Sequence, residues 1–202
     1  MFKKMFTRFS KVVAAGLVLS FMFLVPGAEA SHWGLSGGLQ THDPTIVRES
    51  GNTWWSASTG TGIGMKYSTN GGKTWTDGLP IFSRPLSWWK KYAPNMTTND
   101  VWAPDLEYYR GRYYCYYSVS EFGKNNSAIG LVSCSSISKG DWRDDGVVLY
   151  SRYGSSKFNA IDPNLVVDAK GKPWLVYGSW FDGIHVVRLN QSTMKPTGSS
   201  TK

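Results

Sequence analysis

The sequence has very few cysteines: only Cys115 and Cys134 among 202 residues. Two cysteines cannot form the multiple disulfides that hold many small secreted folds together, and their spacing is not that of a zinc site. They fall in two neighbouring strand-like segments, so export of the protein would permit one bridge between them. Two buried free thiols fit the sequence equally well, and the disulfide question stays open at this stage.

Long apolar runs are also scarce, and the only one lies at the N-terminus. Residues 12–25 are almost wholly apolar, follow four basic residues, and precede Ala28-Glu29-Ala30. This order is typical of a secretory signal peptide, and the run is shorter than the roughly 20 residues of a membrane-spanning helix. We therefore predict a signal peptide over residues 1–30, cleavage before Ser31, and a secreted, extracellular protein that is not held in a membrane.

Acidic residues are outnumbered, and glutamate is rare. Beyond residue 30 the chain has 18 Lys and Arg against 13 Asp and Glu, a net charge of +5. The basic residues are scattered, which argues against nucleic-acid binding, while the mild positive charge favours anionic surroundings such as acidic polysaccharide. Only Glu49, Glu107 and Glu121 remain in this part. We interpret each glutamate as a solvated surface charge, with Glu49 in a turn and Glu121 in a loop.

Helical periodicity is absent, and short strand-like segments alternate with tight turns instead. The segments form three modules of up to four strands, beginning near Asp43, Asp105 and Asp162. Repeated four-stranded modules are typical of β-propeller blades, and propellers typically close with about 4–8 blades. We therefore predict an all-β propeller of which residues 31–202 form about the first three blades. The tail at 191–198 reads as a loop after a third strand, so the domain is expected to be truncated.

Each module begins with an aspartate that precedes an apolar or aromatic run. Asp43 and Asp162 are both followed by proline, and Asp105 precedes Leu106. A repeat of this kind predicts three carboxylates at equivalent positions that converge on one axis. For Asp105 a catalytic role is conceivable, but we favour a structural hydrogen bond to the turn beside Trp102, because aspartate commonly stabilises turns.

Aromatic residues are plentiful, and all 10 Trp lie beyond residue 30. Exposed aromatic faces suit the apolar C–H faces of sugar rings, but Trp and Tyr also fill β-sheet cores and pair across strands. Composition alone does not decide between sugar binding and core packing.

Four motifs together resemble secreted glycoside hydrolases of family 43, and most closely the endo-1,5-α-L-arabinanases. They are His-Asp-Pro at 42–44, Asn-Asp-Val-Trp-Ala-Pro-Asp at 99–105, Asn-Ala-Ile-Asp-Pro at 159–163 and Tyr-Gly-Ser-Trp at 177–180. The resemblance implies a five-bladed β-propeller and inverting hydrolysis of α-1,5-linked L-arabinan in the pectin side chains of plant cell walls. Within the family, β-xylosidase and α-L-arabinofuranosidase activities share the same carboxylates and stay open as alternatives.

The resemblance also implies roles for particular residues. Asp43 matches the general base, and Asp162 matches the second Asp, which tunes the pKa of the general acid and orients substrate. The general acid of the family is a Glu in a later blade, in a context that none of the three glutamates has, so this chain is expected to be inactive alone. Residues expected to contact substrate are Trp102, Asn159, Ser179, Trp180 and His42.

The resemblance further implies that no cofactor is required and that the full-length protein is a monomer. A structural calcium ion in the propeller channel, held partly by a late His, is expected only for the full-length protein.

Two other interpretations remain. Residues 68–75 resemble the Asp-box turn of sialidase-type propellers, with Asn70 where Asp is usual, but only one copy is present. The chain could also be a non-catalytic, carbohydrate-binding propeller fragment, which the missing acid favours.

Overall fold

The computed structural model describes residues 34–202, and the signal peptide predicted for residues 1–30 lies outside them. The described residues form three β-sheets and one single-turn helix, α1, at Trp89–Tyr92, which sequence reasoning missed. The prediction of an all-β fold is therefore confirmed. Within residues 34–202 no helix has the length and apolar character needed to cross a membrane.

The first sheet contains four antiparallel strands and a short parallel strand at its outer edge. In spatial order these are β1 (Ser36–Gly37), β6 (Thr74–Asp77), β5 (Gly64–Ser68), β3 (Thr53–Ser58) and β2 (Thr45–Ser50). The β5–β6 turn is closed by Asn70, whose Oδ1 accepts a 2.9 Å hydrogen bond from Thr74 N, while Trp75 Nε1 donates to Gly72 O at 2.9 Å. The Asp-box-like segment therefore acts as a hairpin turn.

The second sheet is the longest and lies between the other two in the chain. Its order is β10 (Arg143–Ser151), β9 (Ser127–Cys134), β8 (Arg112–Ser120), β7 (Asp100–Tyr109) and the short β4 (Gly60–Thr61). The β7–β8 hairpin turns at Arg110 and Gly111, whose φ angles are 47° and 87°. Two consecutive positive φ angles match the right-handed twist of paired strands, and the glycine adopts one of them without strain.

The third sheet has the order β11 (Asn164–Val167), β12 (Pro173–Tyr177), β13 (His185–Arg188). No strand follows β13 within the described residues, so the prediction of a loop over 191–198 is confirmed. Two isolated contacts tie this loop region to the sheet: Val186 exchanges two backbone hydrogen bonds with Thr201, and Leu189 forms a β-bridge with Pro196. The backbone of 196–201 thereby satisfies part of the free edge of β13.

Two hydrophobic clusters separate the three sheets, and β8 contributes to both. Successive side chains of a strand point to opposite faces of the sheet. Tyr117 and Val119 accordingly pack in the cluster toward the first sheet, whereas Tyr114 and Tyr116 pack in the cluster toward the third. The second sheet is therefore buried on both faces.

The two cysteines lie on adjacent strands but are not paired. Cys134 is opposite Tyr113 and Cys115 is opposite Val132, and both residues are buried free thiols. Burial raises the pKa of the Cys115 thiol well above its usual value and that of Cys134 to about 12. Of the two alternatives that the sequence left open, the structure has the free thiols.

The interpretation of Glu49 as a solvated turn residue is wrong. Glu49 lies in β2, and its carboxylate accepts hydrogen bonds from Trp55 Nε1 at 2.8 Å, Ser136 Oγ at 2.7 Å, and both the N–H and the hydroxyl of Ser138. Desolvation raises the pKa of Glu49, but these hydrogen bonds outweigh it, and the pKa lies below its usual value. Glu49 therefore joins the first sheet to the loop after β9.

Candidate active site

The structure redefines which residues of the three sheets are equivalent. Asp43, Ala103 and Asp162 each precede a proline at the start of the first long strand of a sheet, and their φ angles are 48°, 35° and 53°. Positive φ is unusual for residues other than glycine, although aspartate tolerates it better than most. The predicted equivalence of Asp105 with the other two aspartates is wrong, because Ala103 occupies that position in the second sheet.

Asp105 instead lies two residues beyond Ala103, at the position that Thr45 occupies in the first sheet. Its Oδ2 accepts a 2.6 Å hydrogen bond from the backbone N–H of Leu165, and its Oδ1 accepts one of 3.2 Å from Asn164 Nδ2. Desolvation raises the pKa of Asp105 despite these two hydrogen bonds. The preferred structural interpretation is confirmed, but its partner is the next sheet and not the turn beside Trp102.

Asp43 is half-exposed at the start of the first sheet. Its side chain is 44% exposed, its Oδ2 accepts a 2.7 Å hydrogen bond from Thr59 Oγ1, and its Oδ1 lies 3.2 Å from His42 Nε2. The carboxylate is thus oriented by neighbours but remains open to water, as a group that must activate a water molecule requires.

Asp162 occupies the same position in the third sheet. Its backbone N–H donates a 3.1 Å hydrogen bond to Ser118 Oγ. Although Asp162 is accessible to solvent, partial desolvation and then the negative charge of Asp43 raise its pKa. The charge of Asp43 therefore acts on the Asp162 carboxyl group.

A cavity of about 550 Å³ has a mainly aromatic and apolar wall, and neither Asp43 nor Asp162 is among its lining residues. Trp102 precedes Ala103, and Ile161 precedes Asp162, so both backbone positions border the cavity. The lining residues are Trp102, Glu121, Phe122, Gly123, Lys124, Asn159, Ile161, Trp180 and Phe181. A pocket of this size with apolar walls and a few polar groups is typical of a small-molecule or sugar-binding site.

The structure brings together three of the five predicted substrate contacts. Trp102, Asn159 and Trp180 line the cavity, whereas Ser179 and His42 are not part of its lining. Trp180 is 82% exposed, so its indole is available to a ligand. Asn159 is buried, and its Oδ1 accepts a 2.7 Å hydrogen bond from Ser127 Oγ.

Sequence reasoning missed Phe122, an aromatic residue of the cavity wall. Phe122 is 95% exposed and forms an edge-to-face contact with Trp102, with 6.5 Å between ring centroids. Phe181 was missed as well and has a φ of 71°. Neither residue stands in a repeated motif. Phe181 follows Trp180 directly in the chain, whereas Phe122 meets Trp102 only in the folded protein.

The interpretation of Glu121 as a solvated charge is wrong. Glu121 is only 7% exposed, and its carboxylate accepts hydrogen bonds from Asn95 N at 2.8 Å and Asn126 Nδ2 at 3.1 Å. Desolvation raises the pKa of Glu121, but these hydrogen bonds outweigh it, and the pKa is lowered. Glu121 therefore contributes a negative charge to the cavity wall rather than a proton.

Glu107 differs from the other two glutamates because its pKa is raised, by desolvation and then by the charge of Asp105. It is partly buried in β7, four residues beyond Ala103. At about 3.3 Å per residue, four residues of strand correspond to about 13 Å. Glu107 is therefore remote from the end of the sheet where Asp43 and Asp162 lie.

The calcium site that the family resemblance implies would need a cluster of oxygen ligands. Calcium is bound by six to eight oxygen ligands, carboxylates prominent among them. Within residues 34–202, no three His, Cys, Asp or Glu side chains are close enough together to hold a metal ion. These residues do not form such a site by themselves, and calcium stays a prediction for the full-length protein.

Comparison with known proteins identifies the class. Residues 38–202 match the family "Glycosyl hydrolases family 43", and the chain therefore belongs to that family of glycoside hydrolases.

Similar proteins include several named arabinanases. The chain is 48% identical over 205 residues to the extracellular endo-alpha-(1->5)-L-arabinanase 1 of Bacillus subtilis, covering 98% of this chain and 61% of that protein. The structure of a GH43 endo-arabinanase from Bacillus licheniformis is 51% identical, with a TM-score of 0.80 over 85% of this chain and 58% of that one. The Cellvibrio cellulosa α-L-arabinanase complexed with arabinohexaose is 33% identical, with a TM-score of 0.75 over 81% of this chain and 52% of that one. The chain thus spans about three fifths of the length of the two Bacillus proteins and about half of the Cellvibrio one.

Proposed function

We propose that this chain forms the base-containing part of an active site that hydrolyses α-1,5-linked L-arabinan with inversion. The observation that carries the proposal is the pair of equivalent aspartates, Asp43 and Asp162, in a family 43 fold. Ile161, the residue before Asp162, also lines the aromatic cavity. The names of the similar arabinanases support arabinan as the substrate.

Asp43 is the general base in this proposal. An inverting glycosidase uses one carboxylate to activate water and a protonated carboxyl on the opposite side of the sugar, about 6.5–9.5 Å away. Asp43 suits the role of the base in two respects. A hydrogen bond from Thr59 orients its carboxylate, and the side chain remains accessible to water because it is 44% exposed.

Asp162 modulates the proton donor and orients the substrate. A carboxylate beside another carboxyl group raises the pKa of that group by charge repulsion, which keeps a general acid protonated near neutral pH. The coupling between Asp162 and Asp43 supports this role, because it reports a site where carboxylates influence one another.

None of the three glutamates, Glu49, Glu107 and Glu121, is suited to donate the proton to the leaving sugar. Glu49 and Glu121 have lowered pKa values and are fixed by hydrogen bonds, and Glu107 lies along the strand away from Asp43. We propose that hydrolysis requires a further acidic residue, as in the family, so that residues 31–202 bind arabinan but do not cleave it alone.

The cavity wall binds the polysaccharide. Trp102, Phe122 and Trp180 present ring faces or edges against which sugar rings can pack, and Asn159 adds a polar group. Ser179 and His42 are proposed to contact sugar units that extend beyond the cavity. An endo-acting enzyme is favoured, although the 36% identical exo-α-(1->5)-L-arabinofuranosidase of Cellvibrio japonicus makes exo action the second candidate.

The three sheets are proposed to be blades of a five-bladed propeller. At both junctions, backbone N–H groups of the following sheet donate to side chains of the preceding one: Leu106 to Thr45 and Ala103 to Thr59 at the first, Leu165 to Asp105 and Asp162 to Ser118 at the second. This repeated pattern supports the blade arrangement. We propose that the protein is secreted, acts as a monomer when full length, and requires no cofactor; the extracellular location of similar enzymes supports secretion.

The test combines binding and hydrolysis. We expect residues 31–202 to bind linear arabinohexaose in calorimetry and to release no reducing ends from debranched arabinan. A chimera that joins residues 31–202 to the remaining part of the Bacillus subtilis arabinanase should hydrolyse it, with oligosaccharides of mixed length indicating endo action. Robust cleavage by residues 31–202 alone would contradict the proposed need for a further acid, and cleavage of xylan instead of arabinan would contradict the substrate.

A further inference from the structure

The hydroxyl group of Thr59 lies between the Asp43 carboxylate and the backbone of the second sheet. Thr59 Oγ1 is 2.7 Å from Asp43 Oδ2 and 2.7 Å from the backbone nitrogen of Ala103. The backbone N–H of Thr59 also donates a 2.9 Å hydrogen bond to the carbonyl of His42. Thr59 thus contacts the residues on both sides of the His42–Asp43 peptide.

The direction of these hydrogen bonds is determined by the chemistry of the groups. A backbone N–H can only donate, so the Thr59 hydroxyl accepts from Ala103. The single hydrogen of the hydroxyl is then free for Asp43 Oδ2, and an ionised carboxylate can only accept. The Thr59 hydroxyl therefore bridges the two groups, since it accepts from Ala103 N and donates to Asp43 Oδ2.

The corresponding residue of the third sheet cannot do the same for Asp162. Strand register aligns Thr59 with Gly178, since Thr45 is opposite Ala57 and Asn164 is opposite Val176. Gly178 has a φ of 104°, and a Cβ at this position would lie 2.4 Å from the carbonyl oxygen of Gly183. Of the two equivalent aspartates, only Asp43 receives a hydroxyl donor at this point of its sheet.

We propose that Thr59 is a positioning residue that fixes Oδ2 of Asp43, so that Oδ1 faces solvent and His42. The inference rests on the proposed function, because Asp43 is the general base only there. Thr59 itself does not touch the substrate in this account. It also ties the orientation of the base to the junction between the first and second sheets, through Ala103.

His42 is a second neighbour of the Asp43 carboxylate, because its Nε2 lies 3.2 Å from Oδ1. Thr59→Val leaves His42 in place and removes the two hydrogen bonds of the hydroxyl, the one donated to Asp43 Oδ2 and the one accepted from Ala103 N. Thr59→Ser retains the hydroxyl and serves as the rescue variant.

Thr45→Val is the matched control. Thr45 Oγ1 accepts a 3.2 Å hydrogen bond from Leu106 N and therefore joins the same two sheets, but it makes no hydrogen bond to Asp43. The same isosteric change at Thr45 therefore removes one hydrogen bond between the two sheets without removing the donor to the carboxylate.

The experiment compares the NMR chemical shift of the Asp43 carboxyl carbon at pH 7 in aspartate-labelled variants, with Asp43→Asn identifying the resonance. We expect the chemical shift to change in Thr59→Val, where the hydrogen bond to Oδ2 is lost, to stay near that of the wild type in Thr59→Ser, and to stay unchanged in Thr45→Val. Thermal unfolding should show both valine variants folded, with similar losses of melting temperature. An unchanged chemical shift in folded Thr59→Val, or an equal change in Thr45→Val, would overturn the inference.

The same readout separates this inference from the proposed function. It needs no catalytic activity, whereas the role of the base is tested by hydrolysis in the chimera. A changed chemical shift together with full activity of an Asp43→Asn chimera would support the role of Thr59 as the donor to Asp43 and contradict only the assignment of Asp43 as base.

Discussion

Asp105 accepts a 2.6 Å hydrogen bond from the backbone N–H of Leu165, so a carboxylate of the second sheet provides a hydrogen-bond acceptor for the first strand of the third sheet. Thr45 makes the same connection one sheet earlier, by accepting a 3.2 Å hydrogen bond from Leu106. The sheets are therefore joined by repeated polar contacts as well as by apolar packing. This connection also explains why an aspartate that resembles the catalytic repeat is not part of the site.

Replacing Asp105 by alanine should destabilise the fold. The variant leaves the N–H of buried Leu165 without its acceptor, which costs about 1–3 kcal/mol. Urea unfolding of the two proteins measures the difference. Asp77→Ala is the control, because it removes an exposed carboxylate paired with Lys66 and should change stability little. Equal stability of Asp105→Ala and the wild type would contradict the structural role.

Glu49 should stabilise the protein in a pH-dependent manner. Its folded-state pKa lies below the usual value of 4.5, so the ionised form is favoured by folding and stabilises the protein above that pH. The contribution is lost as the pH falls through the folded-state pKa. We therefore expect Glu49→Gln to be less stable than the wild type at pH 7 and the difference to shrink below pH 4.5. Unfolding midpoints measured across this range would contradict the account if the difference were constant.

Phe122 should contribute to binding of arabino-oligosaccharides but not to folding. Since its side chain is 95% exposed, Phe122→Ala should leave the melting temperature unchanged. The loss of an aromatic contact is worth about 1 kcal/mol, or about five-fold in Kd for arabinohexaose. Calorimetry measures this change. Tyr153→Ala is the control, because Tyr153 is 64% exposed and lies outside the cavity lining; equal losses in both variants would show that the cavity is not the binding site.

Cys115 and Cys134 should be unreactive until the protein unfolds. Both thiols are buried, and burial raises the pKa of each, so little thiolate is present near neutral pH. A colorimetric thiol reagent should detect no fast-reacting thiol in the native protein and two in guanidinium chloride without reductant. Detection of none after unfolding would reveal a disulfide and contradict the structure.

The fold class and the two aspartates before proline were predictable because they depend on local patterns. Alternating apolar residues specify strands, and the Asp-Pro pairs at 43–44 and 162–163 repeat at the same point of each module. Asp105 was wrongly matched to Asp43 and Asp162 because Ala103, the equivalent residue of the second sheet, has no carboxylate that would mark the position. The positive φ of Ala103 is visible only in the backbone.

The remaining features depend on contacts between distant segments, which local patterns do not encode. Glu49 meets Ser136 and Ser138 nearly 90 positions away, and Phe122 reaches Trp102 only after the loop beyond β8 folds back. Thr59 stands at no recognisable motif, and its importance follows from the distances to Asp43 and Ala103.

The most direct test of the central claim is the turnover of linear arabinan by the chimera with Asp43 replaced by asparagine. The amide is nearly isosteric and can still accept the hydrogen bond from Thr59, so circular dichroism and melting temperature should match those of the parent chimera. We predict that kcat falls by about 10²–10⁴-fold, the range typical of a lost acid–base group. A correctly folded Asp43→Asn chimera with near-normal turnover would contradict the assignment of Asp43 as the general base.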